Sequence, residues 1–137
     1  MKNTIQYCVV GLSHKNADLA TRGNFSLDKR QTESLLAQAK VDGVEELMVI
    51  STCNRTELMG IVHDPKILIY YLCSFSGGDV SLFIEKGYVL SDLEALDHVF
   101  RVGCGLESQI IGDFEIIGQL KRAFSTAKKR QIVNGFS

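Results

Sequence analysis

The sequence of 137 residues lacks the features that mark membrane-spanning, secreted or repetitive proteins. No apolar run approaches the roughly 18 residues that would span a bilayer. The first six residues also lack the apolar core of a secretory signal. Internal repeats and low-complexity segments are missing as well. We therefore predict a cytoplasmic protein that makes no contact with a membrane.

Paired cysteine spacing is also missing. Cys8, Cys53, Cys73 and Cys104 stand far apart, unlike the close pairs of zinc sites and redox dithiols. We therefore expect reduced thiols and no bound metal. Hydrophobic residues make up 45% of the chain and charged residues 23%, which is ordinary usage for a globular protein. The length of 137 residues falls within the usual size of one domain.

The hydrophobic pattern predicts short strands separated by helices. Pro65 suits the first turn of a helix that Gly77 and Gly78 would end. We expect the stretch 13–25 to be a loop and Ser26 to cap the helix after it. The predicted order is strand 5–12, helix 26–40, strand 46–51, strand 57–62, helix 65–76, a weak strand 88–90, helix 91–103 and helix 114–133. This order matches an α+β fold, a ferredoxin-like split β-α-β sandwich with additional C-terminal helices.

Polar side chains interrupt the core directly after the second predicted strand. The apolar run that ends at Ile50 is followed by Ser51-Thr52-Cys53-Asn54-Arg55, which has no aliphatic side chain. If strand geometry persists through Arg55, alternation makes Cys53 and Arg55 point the same way. An arginine beside a thiol favours the nucleophilic thiolate and also binds carboxylates with two hydrogen bonds. Acyl transfer from an acidic substrate would use both properties; the alternative is a small buried thiol in a turn between strands.

His98 is the second candidate catalytic residue. It lies on the predicted helix after Ser91, nearly opposite an apolar stripe, so it is not a core histidine of that stripe. It is interpreted either as a base or orienting group for Cys53 or as part of a solvated helix face. The nearby Gly103, Gly105 and Gly112 do not form the G-x-G-x-x-G pattern after a strand, so no nucleotide-binding fold is predicted.

Three segments of the chain resemble the glutamyl-tRNA reductase family. The first is Val9-Val10-Gly11-Leu12-Ser13-His14-Lys15, and the second is Ser51-Thr52-Cys53-Asn54-Arg55-Thr56-Glu57. The third runs from His98 to Gln119 and includes Arg101, Gly105, Leu106, Ser108, Gly112 and Gly118. Because the order and spacing of the three segments cover nearly the whole chain, the resemblance is specific.

The resemblance implies a reaction and a set of roles. Cys53 would attack the ester that joins glutamate to its tRNA, and NADPH would then reduce the thioester to glutamate-1-semialdehyde, a precursor of tetrapyrroles. His98 would orient the substrate or assist proton transfer. The resemblance further implies that the glutamyl group is held by Thr52, Asn54, Arg55, Ser108 and Glu115. Since a carboxylate needs a fixed cation, we expect Arg55→Lys to damage thioester formation.

The chain departs from the family pattern in two places. Gly112-Asp113-Phe114-Glu115 replaces the usual Gly-Glu-Pro-Gln, so Glu115 stands where a glutamine normally helps to recognise the substrate. The early loop reads Asn16-Ala17-Asp18 and Arg22-Gly23, where Thr-Ala-Pro and Arg-Glu are usual. A negative charge at Glu115 costs binding of an acidic substrate unless it is paired, protonated or turned away.

The resemblance also implies domains beyond this chain. We expect residues 1–137 to form the catalytic, glutamyl-tRNA-binding domain. An NADPH-binding domain and a helical dimerisation domain would lie outside it, so that only the full-length enzyme would bind NADPH and form a homodimer. By itself this chain would form the thioester or slowly hydrolyse the ester, without reduction.

Two rival functions remain open from the sequence. One is a cofactor-independent thioesterase or acyltransferase that uses the same thiol. The other is a small RNA-binding module, which the basic end of the chain favours, although no aromatic pair lies on a predicted strand to stack bases. That end, from Phe114 onward, has one acidic residue and five basic ones: Lys121, Arg122, Lys128, Lys129 and Arg130.

Overall fold

The fold is a five-stranded antiparallel sheet with helices packed on both faces. The structure is a computed structural model, and it describes residues 5–44, 46–106 and 110–111. The elements in chain order are β1 (Gln6–Ser13), α1 (Leu19–Gly23), α2 (Lys29–Val41), β2 (Leu47–Ser51), β3 (Arg55–Val62), α3 (Lys66–Ser76), α4 (Val80–Lys86), β4 (Tyr88–Ser91), α5 (Asp92–Leu106) and β5 (Ile110–Ile111).

The strand order in the sheet is β4-β1-β3-β2-β5. Every recorded pairing is antiparallel, and β1 and β3 lie side by side over their full lengths, with Gln6 opposite Val62 and Ser13 opposite Arg55. β2 and β3 form a hairpin whose last pair joins Ser51 to Thr56. The turn that carries Cys53 therefore lies at the end of two central strands.

Side chains alternate along the strands and so contribute to two separate hydrophobic cores, one on each face of the sheet. One face, with Val10, Leu12 and Val49, packs against α2, α3 and α4. The opposite face, with Val9 and Met48, packs against α5. Because strand side chains alternate, the odd-numbered residues of both β1 and β3 point towards α5. The α5 side of the sheet is where the candidate site lies.

Most of the predicted strands and helices are confirmed, with three corrections. The stretch 13–25 is not wholly a loop, because α1 begins after Asp18, whose side chain accepts from the backbone N–H of Thr21. The cap of α2 is Asp28 rather than Ser26, and it forms a capping box with Gln31. Helix α4 was not predicted, because seven residues are too few to show a clear helical period.

Two further expectations concern membrane-spanning helices and the predicted helix 114–133. In the described part of the chain, no helix is both long and apolar enough to cross a membrane. The predicted helix 114–133, with its basic residues, lies outside the described residues, as do Ser108 and Glu115.

Candidate active site

Cys53 occupies the tip of the turn between β2 and β3, where its side chain is exposed. Thr52 closes this turn: its backbone N–H donates to the carbonyl oxygen of Arg55 at 2.8 Å. The Thr52 Oγ1 accepts from the N–H groups of Asn54 at 3.1 Å and Arg55 at 3.3 Å. The side chain of a threonine thus replaces the missing strand partner, as in an ST turn.

Two neighbours outside the hairpin also hold this turn. The backbone N–H of His14 donates to the carbonyl oxygen of Asn54 at 2.9 Å. The guanidinium of Arg22 donates to the carbonyl oxygen of Cys53, with Nη2 at 3.0 Å and Nε at 3.3 Å. The exposed thiol therefore sits on a backbone that is fixed from both sides. The alternative of a small buried thiol is wrong because Cys53 is exposed, but the turn between two strands that this alternative included is confirmed.

Strand geometry does not persist from Ile50 through Arg55. β2 ends at Ser51 and β3 begins at Arg55, so alternation does not relate the direction of Cys53 to that of Arg55. The Arg55 side chain instead forms an ion pair with Glu57, two residues along the same strand, with 3.4 Å between Nη1 and Oε2. The expected pairing of guanidinium and thiol is therefore replaced by a carboxylate partner.

Glu57 is a fully buried carboxylate that the sequence reasoning missed as a site residue. Its exposed fraction is 0%. Three side chains reach its Oε2: Arg55, His98 at 2.6 Å through Nε2, and the hydroxyl of Tyr88. The other oxygen, Oε1, has no hydrogen-bond partner among the described residues. A buried carboxylate is costly unless it is paired, and here two basic side chains and one hydroxyl supply the compensation.

Gly11 makes room for this cluster. Gly11 lies directly opposite Glu57 on β3 and opposite Tyr88 on β4. A Cβ atom at Gly11 would lie 2.5 Å from the Thr56 carbonyl oxygen and 2.6 Å from Cγ of Glu57. The missing side chain therefore lets Tyr88 reach across β1 to the carboxylate.

Tyr88 is held as a hydrogen-bond donor. Burial raises the pKa of Tyr88, and the negative charge of Glu57 raises it further. The phenol therefore stays protonated and donates to the carboxylate. Its ring also packs edge-on against the imidazole of His98, with 5.9 Å between the ring centroids.

His98 is neither a core residue nor a freely solvated one. Its side chain is 24% exposed, and its Nε2 is engaged by Glu57. The helix α5 places it over the sheet, on the same side as Arg55. The alternative of a solvated helix face is therefore wrong.

A cavity of about 380 Å³ lies beside this cluster. Among the described residues, the lining includes the basic side chains of Lys15, Arg55 and Arg101, of which Arg101 also pairs with Asp97, while Glu57 lies beneath the surface. Such a lining suits an anionic ligand. The cavity is lined by Ser13, Lys15, Asn16, Arg55, Tyr88, Leu90, His98 and Arg101.

The cavity brings together two of the candidate site residues that were chosen from the sequence, Arg55 and His98. Thr52, Cys53 and Asn54 lie in the adjoining turn and are not part of the cavity wall. The positions of Ser108 and Glu115 fall outside the described residues, so they stay predictions. Within the described ranges, no group of three or more metal-ligating side chains is close enough to hold a metal ion.

The other cysteines of the described chain differ from Cys53. Cys8 and Cys73 are buried, and burial raises the pKa of both thiols. Among these three free cysteines, only Cys53 presents its sulfur to solvent.

Arg22 and Glu57 are two residues of the site that were not predicted from the sequence. Glu57 had a visible signal, because it is a lone charge directly before the buried run Leu58-Met59 of a predicted strand. Gly11 inside an apolar strand was a second signal, typical of close approach by another group. Arg22 lies in a stretch without periodicity, and its one signal was that it keeps the arginine of the family's usual Arg-Glu pair.

Comparisons with known proteins agree on one family. A family model described as "Glutamyl-tRNAGlu reductase, N-terminal domain" matches residues 10–136. Glutamyl-tRNA reductase 2 of Flavobacterium johnsoniae is 48% identical over 136 residues, which cover 99% of this chain and 31% of that protein. Glutamyl-tRNA reductase of Natranaerobius thermophilus is 35% identical over 124 residues, covering 85% of this chain and 27% of that protein.

A solved structure has the same fold. The glutamyl-tRNA reductase from Methanopyrus kandleri is similar with a TM-score of 0.54 at 24% sequence identity, covering 94% of this chain and 29% of that one. The chain spans less than a third of the length of these relatives. Since the family model matches nearly the whole sequence, the chain belongs to the glutamyl-tRNA reductase family and corresponds to its N-terminal domain.

Proposed function

We propose that this chain is the catalytic domain of a glutamyl-tRNA reductase, in which Cys53 takes glutamate from its tRNA as a thioester. The observation that carries the proposal is the exposed thiol on a turn fixed by hydrogen bonds, next to a cavity with a basic lining. The names of the relatives support glutamyl-tRNA as the substrate.

The proposed step is an acyl transfer with no change in oxidation state. The Cys53 sulfur attacks the ester carbonyl carbon and forms the carbon–sulfur bond. The bond from that carbon to the ribose oxygen breaks, and the tRNA leaves with a free hydroxyl. The thiol proton passes to a base and then to the leaving oxygen.

Arg55 is proposed to bind the side-chain carboxylate of the glutamyl group. Its ion pair with Glu57 uses one nitrogen, Nη1, while the guanidinium has five N–H donors. Its side chain also lines the cavity. Glu57 would therefore fix the direction of Arg55 and leave donors for the substrate. Thr52 and Asn54, with Ser108 and Glu115, complete the proposed contacts to the glutamyl group.

His98 is proposed to orient the substrate or to carry the proton. Glu57 engages Nε2 of His98, which favours the tautomer with its proton on that nitrogen. Nδ1 then remains as the acceptor. This arrangement follows the logic of a carboxylate that orients a histidine base for a nucleophile.

NADPH does not fit the described residues. All recorded strand pairings are antiparallel, and the turns from β1 to α1 and from β3 to α3 contain no glycine. A dinucleotide site of the usual kind needs a parallel βαβ unit with a glycine-rich turn. We therefore derive no hydride transfer within the described part of the chain.

We also propose that residues 1–137 act as one domain within a longer, NADPH-dependent homodimeric enzyme. This chain covers 31% of the Flavobacterium johnsoniae relative, so most of that protein has no counterpart in residues 1–137, which supports the proposal. We further propose a ferredoxin-like split β-α-β sandwich for β1, α2, β2, β3, α3 and β4. The strand order β4-β1-β3-β2 and the packing of α2 and α3 on one face support it.

The proposal is tested by intact-protein mass spectrometry after mixing the chain with glutamyl-tRNA. Wild type, Cys53→Ser and Cys73→Ser are compared, and the buried Cys73 provides the matched control. We expect a glutamyl mass increment on wild type and on Cys73→Ser, located at Cys53, and none on Cys53→Ser.

Other outcomes separate the rival functions. Free glutamate without an adduct, lost in Cys53→Ser, would favour a thioesterase. Salt-sensitive tRNA binding that survives Cys53→Ser, without adduct or hydrolysis, would favour an RNA-binding module. Semialdehyde made by this chain with NADPH would contradict the placement of the cofactor outside it.

A further inference from the structure

Arg22 connects helix α1 to the turn of the nucleophile. Its Nη2 and Nε donate to the carbonyl oxygen of Cys53, at 3.0 Å and 3.3 Å. Its Nη1 donates to the carbonyl oxygen of Ala17 at 2.7 Å. One side chain therefore joins the peptide of Cys53 to the segment that leads into α1.

These contacts require a guanidinium. Three N–H groups in one plane reach two carbonyl oxygens from different segments, which is the fork geometry that arginine has and lysine lacks. Hydrogen bonds from a charged donor are also stronger than neutral ones. A lysine at this position would keep the charge but could not make all three contacts.

The base of Arg22 is itself well fixed. Asp18 caps α1, and its side chain accepts from the backbone N–H of Thr21 at 2.8 Å. The Arg22 backbone N–H donates to the carbonyl oxygen of Asp18 at 2.9 Å. The guanidinium therefore extends from an ordered turn rather than from a loose loop.

Arg22 holds the backbone of Cys53 directly, whereas the backbone groups of Thr52 and Asn54 have other hydrogen-bond partners. Thr52 and Asn54 are held by hydrogen bonds within the turn and from His14. For the carbonyl oxygen of Cys53, Arg22 is the donor recorded among the described residues. Without Arg22 the peptide between Cys53 and Asn54 would keep the bond from the Asn54 N–H to Thr52 Oγ1 but lose the anchor at its carbonyl oxygen, although both strands would remain paired.

We propose that Arg22 is a positioning residue that aims the Cys53 thiol at the ester carbonyl. This inference rests on the proposed thioester step and extends it to a residue that touches no reacting atom. Attack by sulfur requires a narrow range of distance and angle, and a misplacement of about 1 Å costs roughly 100-fold in rate. Arg22 keeps the turn within that range.

The test measures the rate constant of thioester formation at saturating glutamyl-tRNA, separately from tRNA affinity. Wild type is compared with Arg22→Ala, Arg22→Lys and the control Arg30→Ala, which changes an exposed arginine on α2. We expect Arg22→Ala to lower the rate constant by roughly 10-fold to 100-fold. The dissociation constant for tRNA should stay within about 2-fold, because a positioning role leaves ground-state binding intact.

Arg22→Lys guards against a variant that fails to fold. The ammonium can still donate to one or two of the carbonyl oxygens, so we expect a rate between those of wild type and Arg22→Ala. Arg30→Ala should react like wild type. Folding of each variant is checked by its melting temperature and far-UV circular dichroism before the rate is measured.

Three results would overturn the inference. Thioester formation by folded Arg22→Ala at the wild-type rate would remove any positioning role. A loss of rate that disappears at higher tRNA concentration would assign Arg22 to binding instead. If folded Arg22→Lys were as slow as Arg22→Ala and lost as much tRNA affinity, Arg22 would also be assigned to tRNA binding. An absence of adduct on wild type would instead defeat the proposed function itself, and this inference with it.

Discussion

The buried carboxylate of Glu57 makes a sharp prediction for the variant Glu57→Gln. Glutamine has the same shape, so the change removes the charge and replaces one oxygen by an amide nitrogen. In the wild-type protein, Oε2 of the carboxylate contacts Arg55, Tyr88 and His98. Its Oε1 has no hydrogen-bond partner among the described residues, so the amide nitrogen would be left without an acceptor there.

The expected loss in the free energy of unfolding is about 3 kcal/mol. A buried polar group without a partner costs about 1–3 kcal/mol, and each bond that loses its charge-assisted character costs about 1 kcal/mol more. Arg55 and His98 are 15% and 24% exposed, so water in the cavity offsets part of this loss. Breaking a fully buried ion pair costs about 3–5 kcal/mol, which sets the upper limit.

Urea denaturation followed by circular dichroism measures this quantity directly. The matched control is Glu33→Gln, which changes an exposed carboxylate on α2 and should alter stability by less than about 0.5 kcal/mol. A loss below about 1 kcal/mol for Glu57→Gln would refute the reasoning. It would mean that the ionised carboxylate costs as much to bury as its three contacts return.

Three further variants test other parts of the structure. Gly11→Ala should cost about 1–3 kcal/mol in unfolding measurements, because its Cβ would lie 2.5 Å from a carbonyl oxygen, whereas Gly23→Ala, with no atom within 4 Å, should not destabilise. Tyr71→Phe should cost about 1 kcal/mol, because it loses the 2.6 Å bond to Asp42. Burial raises the pKa of Tyr71 from 10.0 to about 12, so the stabilisation by this hydrogen bond is complete below pH 10.0 and is lost as the pH rises through about 12. Because Tyr88, whose pKa is also raised, is present in both proteins, unfolding measured across this range should show a larger loss of stability in wild type than in Tyr71→Phe. Arg55→Lys should slow thioester formation in the mass-spectrometric assay, and an unchanged rate would remove Arg55 from the site.

The sequence predicted the central elements because their signals are strong. The apolar runs of β1 and β2 and the Pro65 and Gly77 boundaries of α3 stand out without any tertiary information. Gly77 has a φ of 82°, the left-handed conformation that glycine allows at a helix end. Short helices such as α1 and α4 have too few residues for a period to emerge, so they were missed.

The site was harder to predict than the fold. Cys53 follows from the loss of aliphatic residues after Ile50, and Arg55 follows from its closeness in the chain. The direction of Arg55 could not be predicted, because its partner Glu57 is set by the pairing of β3 with Gly11 and Tyr88. Contacts across strands depend on register, which the local pattern does not contain.

His98 shows the same limit from the side of a helix. The helical period correctly placed it off the apolar stripe, yet it also suggested a residue in solvent. Helix α5 instead lies over the sheet so that His98 reaches a carboxylate 41 positions earlier in the chain. A polar residue off the apolar stripe of a helix can thus still be a partner of the sheet when that sheet buries a charge.

The two halves of the candidate site differ in how they are built, and this difference suits their proposed tasks. The cluster around Glu57 is held by side chains over the sheet, so it supplies fixed charge and hydrogen-bond direction. The thiol instead lies on a turn whose backbone is held by Arg22 and His14, outside the cavity wall. A nucleophile must meet a large substrate from solvent, whereas the groups proposed to bind the glutamyl side chain must be held in fixed directions. An exposed but anchored turn for the thiol, with charged groups fixed over the adjoining sheet, satisfies both requirements.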